Sequence, residues 1–261
     1  MDYGTITYEE RERIGVLTLN RPKKHNALSL EMLEELSSCI REVGRDRHTK
    51  VVIVKGAGKH FCAGHDLNEI LNQDIEDIRQ LFATCTDLMM LIQDIPQPVI
   101  AQVQGIATAA GCQLVAACDL ALAEEGTQFA TPGVKIGLFC STPMVPLSRA
   151  VGRKRALEML LTGEFISAAT AVDYGLINRV VPKGELDGET RQLAGQIAQY
   201  SLLPLSIGKQ AFYQQIHMAD RPAYNYAKEV ISANATMTDA IEGIEGVSAF
   251  LEKRAPVWKE K

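Results

Sequence analysis

No apolar run in the 261 residues reaches the roughly 18 needed to cross a bilayer. Residues 1–12 show neither the basic-then-apolar pattern of a secretory leader nor an Arg-rich amphipathic presequence. The expectation is a protein with no membrane partner that works in the cytoplasm, or in the mitochondrial matrix if a presequence has been removed. The six cysteines form no C-x-x-C pair and sit mostly in apolar runs, as reduced thiols do, so neither a disulfide framework nor a metal site is expected. Excess positive charge is also missing. The 27 basic and 32 acidic side chains give −5, which supplies no general field for polyanions and argues against nucleic acid as a partner. Internal repeats, low-complexity stretches and Gly/Pro-rich interdomain linkers are absent too. What the chain does have is 46% hydrophobic residues, over a length that buries one large core.

Strand-like runs, Val16-Leu17-Thr18-Leu19, Val51-Val52-Ile53-Val54 and Pro98-Val99-Ile100-Ala101-Gln102-Val103, alternate with helical patterns. The first helix shows Leu30, Leu33, Leu36, Ile40 and Val43 at helical spacing behind a Ser29 cap. This predicts an α/β core over residues 1–200. After Val180-Val181-Pro182 the strand signal fades, and helices are expected near 185–200, 205–218, 223–237 and 245–254. Residues 201–261 then form a helical lobe in the same structural unit, with apolar faces that need the main domain or another subunit.

Two turns rich in small residues each follow a strand-like run and lead into a helix-like segment: Gly56-Ala57-Gly58-Lys59-His60-Phe61-Cys62-Ala63-Gly64-His65-Asp66-Leu67, and Gly105-Ile106-Ala107-Thr108-Ala109-Ala110-Gly111-Cys112-Gln113. Small residues let a ligand approach the backbone, and the first N–H groups of a helix lack internal partners and can donate to an anion. Two such turns facing each other make an oxyanion hole, although either alone is more often a mere packing corner.

Taken with Leu19-Asn20-Arg21-Pro22-Lys23-Lys24-His25-Asn26-Ala27-Leu28 before them, and Phe129-Ala130-Thr131-Pro132, Leu161-Thr162-Gly163 and Ala249-Phe250-Leu251-Glu252-Lys253-Arg254 after them, these turns resemble the enoyl-CoA hydratase (crotonase) superfamily over nearly the whole chain. The resemblance implies a crotonase (ClpP/crotonase-like) α/β fold. In that fold, repeated ββα units wind into two roughly perpendicular sheets, and C-terminal helices build a homo-trimer, often paired as a hexamer. It also implies an acyl-CoA thioester as partner, with coenzyme A part of the substrate and no separate cofactor, and enzymes of the lyase or isomerase class.

Carried over by residue, the resemblance puts the oxyanion-hole donors on the N–H groups of His65 and Ala110. Ala110 stands where the family usually has glycine, narrowing the backbone choices there, while Gly111 keeps some freedom. Asp66 reads as a turn cap. The turn from Lys24 to Ala27 would lie near adenine and pantetheine. Ala63, His65, Asp66, Leu67 and Asn68 would run along the pantetheine, and Lys253 would reach the phosphates, those of a neighbouring subunit included. Cys140, Ser141 and Thr142 would line the acyl end as polar groups.

The two glutamates of a family hydratase correspond to Gln113 and Gly133, and neither can transfer a proton near pH 7. His65 has two readings: its ring faces solvent and only its N–H matters, or it points inward to meet a substrate carboxylate or protonate an enolate. Three functions remain open: decarboxylation, isomerisation or hydrolysis through an enolate-stabilising hole; a catalytically silent acyl-CoA binder; or a hydratase with relocated acid and base, such as a carboxylate from residues 74–94.

Overall fold

The computed structural model describes residues 3–71, 73–236 and 241–258. Its larger sheet has six strands in the order β1 (Ile6–Arg11), β2 (Ile14–Leu19), β3 (Val51–Gly56), β4 (Val99–Val103), β6 (Leu120–Glu124) and β9 (Arg179–Val181). All neighbours run parallel except β1, which folds back on β2. A smaller sheet pairs β5 (Ile106–Thr108) with β7 (Gln128–Ala130) in parallel, and β7 with β8 (Ile166–Ser167) antiparallel.

The unbroken apolar run of β3 follows from burial on both faces, as in parallel sheets generally. Val51 and Ile53 join Val16, Ile100 and Leu122 under Leu186 and Ala194 of a later helix, whereas Val52 and Val54 face the larger cluster that holds Leu17, Leu19, Val99 and Ala101. Parallel neighbours need crossovers. Helix α1 (Leu30–Arg45) supplies the first, with Leu33, Leu36, Ile40 and Val43 buried and the Ser29 side chain accepting from the Met32 N–H at 3.2 Å. The second crossover holds the short α2 (Asn68–Leu71) and the long α3 (Ile75–Asp94), and α4 (Ala110–Ala117) connects β5 to β6. Helices α5 (Met144–Ala150), α6 (Arg153–Thr162) and α7 (Ala168–Tyr174) continue the chain, and α7 leads into β9.

Four helices close the chain: α8 (Leu186–Ala198), α9 (Leu202–Gln215), α10 (Asp220–Thr236) and α11 (Ile241–Leu251). Helix α8 starts within one residue of the expected position, whereas α9, α10 and α11 start three to four residues earlier than the periodicity suggests, and polar starts extend α9 and α10. Ser201 accepts from the Leu203 N–H at 3.2 Å, and Asp220 and Pro222 occupy the first turn of α10, where neither is costly. The expected end of α10 at residue 237 lies outside the described residues.

Helix α9 is fixed to the core by charge. The Lys209 Nζ lies 2.8 Å from Asp119 Oδ2 and donates to the carbonyls of Ile92 and Gln97, while the Tyr213 hydroxyl donates to Asp119 Oδ1 at 2.8 Å. Helix α10, by contrast, has no buried residue within this chain.

Candidate active site

The turns after β3 and β4 meet. Cys62 and Ala107 form a parallel bridge, with Thr108 N–H donating to Cys62 O at 3.0 Å and the Thr108 hydroxyl to Ala63 O at 3.0 Å. Close approach requires glycine at two points. A Cβ on Gly111 would lie 2.2 Å from Cys62 O, and one on Gly64, whose φ is +98°, would lie 2.9 Å from Ala109 Cβ and 3.4 Å from the Ala110 nitrogen. The segment just before His65 therefore lies against the N-terminus of α4.

A second bridge, Leu28 to His65, sets the direction of the first donor. Leu28 N–H donates to Gly64 O at 2.8 Å and Asp66 N–H to Leu28 O at 2.9 Å. A trans peptide points its C=O and N–H in opposite directions. With Gly64 O turned toward Leu28, the His65 N–H points away from it and meets no protein acceptor among the described residues. Ala110 opens α4, so its N–H has no intrahelical acceptor either.

The strained backbone is not at Ala110, whose methyl was expected to restrict it. It falls one residue earlier, on Ala109, with φ 49° and ψ −118°. That is a region an alanine adopts only at a cost of about 1–3 kcal/mol. Ala110 is an ordinary helical residue, and the turn stores its distortion in the residue before the donor.

A cleft of about 700 Å³ opens beside these groups and gathers Lys24, Ala27, Ala63, His65, Asp66, Leu67, Ala110, Gly133, Cys140 and Ser141 in its wall. The His65 ring does not face solvent. It packs edge-on against Phe82 of α3, with ring centres 5.1 Å apart, and both ring nitrogens are buried without a properly formed hydrogen bond. Burial lowers its pKa to about 4, offset only in part by the Leu28 backbone, so the ring is neutral at pH 7. Asp66 is buried and fully engaged: Oδ1 accepts from the N–H and side-chain amide of Asn68, and Oδ2 from Arg21 Nη2 at 3.0 Å. Burial works to raise its pKa, but those bonds to Asn68 and Arg21 hold the carboxyl below its ordinary value. Asn68 acts here through Asp66.

At the far wall, Gly133 lies under Cys140. A Cβ on Gly133 would meet Cys140 Sγ at 2.9 Å and Leu138 O at 3.1 Å. Burial pushes the Cys140 thiol above its ordinary value, and Ser141 donates its hydroxyl to Phe139 O at 3.3 Å, so neither is set up as a nucleophile.

Four expected residues do not line the cleft: Asn68 and Gly111, which act behind its wall, and Gln113 and Lys253, which lie elsewhere. Gln113 is buried in the wall of a neighbouring cavity of about 510 Å³ that shares Thr142 with the cleft, and its Oε1 has no partner among the described residues. Lys253 follows α11, exposed and outside the cleft of its own chain. From α3 the cleft wall takes Phe82, and no carboxylate of residues 74–94 enters it. Arg21, Leu28 and Phe82 escape a reading of the sequence alone: Leu28 and Phe82 look like ordinary core positions, and Arg21 reveals itself only by its partners.

Comparison with known proteins bears on the whole chain. The model of the enoyl-CoA hydratase/isomerase family matches residues 9–261. The mouse enoyl-CoA hydratase domain-containing protein 3, mitochondrial, is 46% identical over 250 residues, covering 95% of this chain and 82% of that protein. Among solved structures, an enoyl-CoA hydratase from Mycobacterium smegmatis superposes with a TM-score of 0.94 at 47% identity, covering 98% of this chain and 99% of the other. The human enoyl Coenzyme A hydratase domain-containing protein 3 does so with a TM-score of 0.94 at 46% identity, covering 98% and 100%.

Proposed function

The chain belongs to the enoyl-CoA hydratase/isomerase family and has the crotonase fold, and from that premise we propose that it binds an acyl-CoA thioester with the thioester oxygen between the N–H groups of His65 and Ala110. Two preorganised donors aimed at one oxygen stabilise the enolate that develops when an α-carbon bond to hydrogen or carboxylate breaks. Such donors contribute a factor of about 10²–10³ each in acyl-transfer enzymes. The supporting observation is that these N–H groups lack acceptors among the described residues and lie beside a cleft whose wall holds one carboxylate, Asp66, already committed to Arg21 and Asn68.

Hydration across a double bond needs a base for water and an acid for the α-carbon, and by resemblance those positions hold Gln113 and Gly133. Decarboxylation needs no strong base, because the departing CO₂ leaves its electron pair on the α-carbon, and a neutral His65 ring in an apolar wall disfavours a free carboxylate near it in the ground state. Isomerisation and hydrolysis both still need a group that carries a proton. A catalytically silent acyl-CoA binder is the second reading. Its supporting observation is that His65 is neutral and Asp66 is paired, so neither of the two titratable side chains beside the first donor is free to carry a proton.

The same reading makes the assembly a trimer or a pair of trimers. Tyr224 and Ile231 of α10 and Phe250 at the end of α11 are more than half exposed in the single chain and would be covered there, and Lys253 would serve a neighbour's CoA phosphates. The mouse relative's name, which carries the word mitochondrial, favours the mitochondrion over the cytoplasm. A panel of crotonyl-, methylmalonyl-, 3-enoyl- and 3-hydroxyacyl-CoA, followed by mass spectrometry and calorimetry, tests the proposal. Turnover without crotonyl-CoA hydration supports altered enolate chemistry, binding without turnover supports the silent reading, and ordinary hydration overturns both.

A further inference from the structure

Behind the first donor stands a guanidinium that the oxyanion hole itself does not use. Arg21 follows β2 with its side chain 22% exposed, donating from Nη1 to Ala27 O at 2.7 Å and from Nη2 to Asp66 Oδ2 at 3.0 Å. Its place is fixed by the turn it belongs to. The Arg21 N–H donates to Asn26 Oδ1, its carbonyl accepts from the N–H groups of Lys24 and Asn26, and the Asn26 amide donates to the carbonyls of Ala57 and His60 on the facing turn.

Two bonds described separately above join here into one line. Ala27 O and Leu28 N–H are the two ends of one trans peptide, and Gly64 O and His65 N–H are the two ends of the next. Arg21 Nη1 donates to the first peptide, whose N–H donates to the second at 2.8 Å, and the second ends in the N–H that faces the cleft. Hydrogen bonds in line polarise one another, and the effect is larger away from water. A cation at the head of such a line draws electron density from both peptides and makes the last N–H a better donor.

We propose that Arg21 is a positioning residue that acts on the bound thioester carbonyl through this two-peptide relay, with Asp66 moderating its charge by accepting the other half of the guanidinium. The inference rests on the proposed use of the His65 N–H. A merely structural Arg21 would clip the two turns together and move stability alone, whereas the relay moves the electronic state of a carbonyl that Arg21 never touches.

The test uses full-length protein and butyryl-CoA labelled with ¹³C at the thioester carbon, a saturated ligand that cannot be hydrated. Infrared difference spectra report the bound carbonyl, and calorimetry compares butyryl-CoA with CoA lacking an acyl group. Wild type is expected to lower the carbonyl stretching frequency. Arg21→Met should lose most of that lowering and weaken butyryl-CoA about tenfold, as expected for a charge-assisted bond, with less than about a twofold effect on CoA itself. Arg21→Lys, which keeps the charge but cannot fork to both acceptors, should recover part of the shift. Asp66→Asn frees the guanidinium from its counter-charge and should increase the shift, a sign that a structural role does not give. Should Arg21→Met fail to fold, the last two variants carry the comparison.

A bound carbonyl identical in wild type, Arg21→Lys and Asp66→Asn overturns the relay and leaves the oxyanion hole intact. A wild type that binds butyryl-CoA without shifting its carbonyl overturns the oxyanion hole, and the relay with it.

Discussion

Replacing His65 by phenylalanine should make the protein less sensitive to acid. In the folded chain burial holds the imidazole at about 4, whereas in the unfolded chain it returns to its ordinary 6.5. Between those values the unfolded state carries more protons than the native one, so the stability linked to this group is fully present above about pH 6.5 and is lost as the pH falls toward 4. At pH 4.5, relative to pH 7.5, the loss amounts to about 2.5 kcal/mol. Phenylalanine keeps an aromatic ring against Phe82 and has nothing to protonate. Urea titrations of both proteins at the two pH values isolate the term, because the carboxylates elsewhere contribute equally to both and cancel. The stability difference between variant and wild type should move by about 2.5 kcal/mol in favour of the variant at pH 4.5. Parallel pH dependences would refute the reasoning, since they would mean that the His65 ring reaches water or a partner in solution.

Three more outcomes follow from the same geometry. Ala109→Gly removes a methyl from a left-handed backbone and should raise stability by about 1 kcal/mol in urea denaturation, part of the relief being returned as unfolded-state entropy. Gly133→Ala forces its new methyl onto Cys140 and should cost about 1–3 kcal/mol, a cost that Cys140→Ala in the same chain reduces; additive losses in the double-mutant cycle would deny the contact. Lys209→Met leaves Asp119 short of its cation in a mostly buried site and should destabilise the fold by about 3–5 kcal/mol, with hydrogen exchange accelerated first in α9.

The parts of the fold that were legible in the sequence are those set by local pattern. Val51 to Val54 announce a doubly covered strand because each residue has an apolar neighbour above or below it, and Ser29 marks the start of α1 because its side chain satisfies an N–H three residues on. The two- and three-residue strands β5, β7 and β8 carry no such signal, since their pairing is a tertiary matter. In the site, the turns could be found from their glycines, but side-chain directions could not. The orientation of His65 is decided by Phe82, 17 residues away on a crossover helix, and that of Asp66 by Arg21, 45 residues earlier. Gln113 sits in the wall of the neighbouring cavity, and the positive-φ backbone falls on Ala109, one residue before the narrowing expected at Ala110.

The contact between Gly133 and Cys140 also constrains how this protein can change over generations. A glutamate at position 133 would start from a Cβ 2.9 Å from Cys140 Sγ and 3.1 Å from the Leu138 carbonyl, closer than side chains ordinarily pack. A side chain at position 133 thus costs packing before it could offer an acid. A carboxylate at position 133 therefore calls for a matching change at Cys140, and the two positions constrain each other.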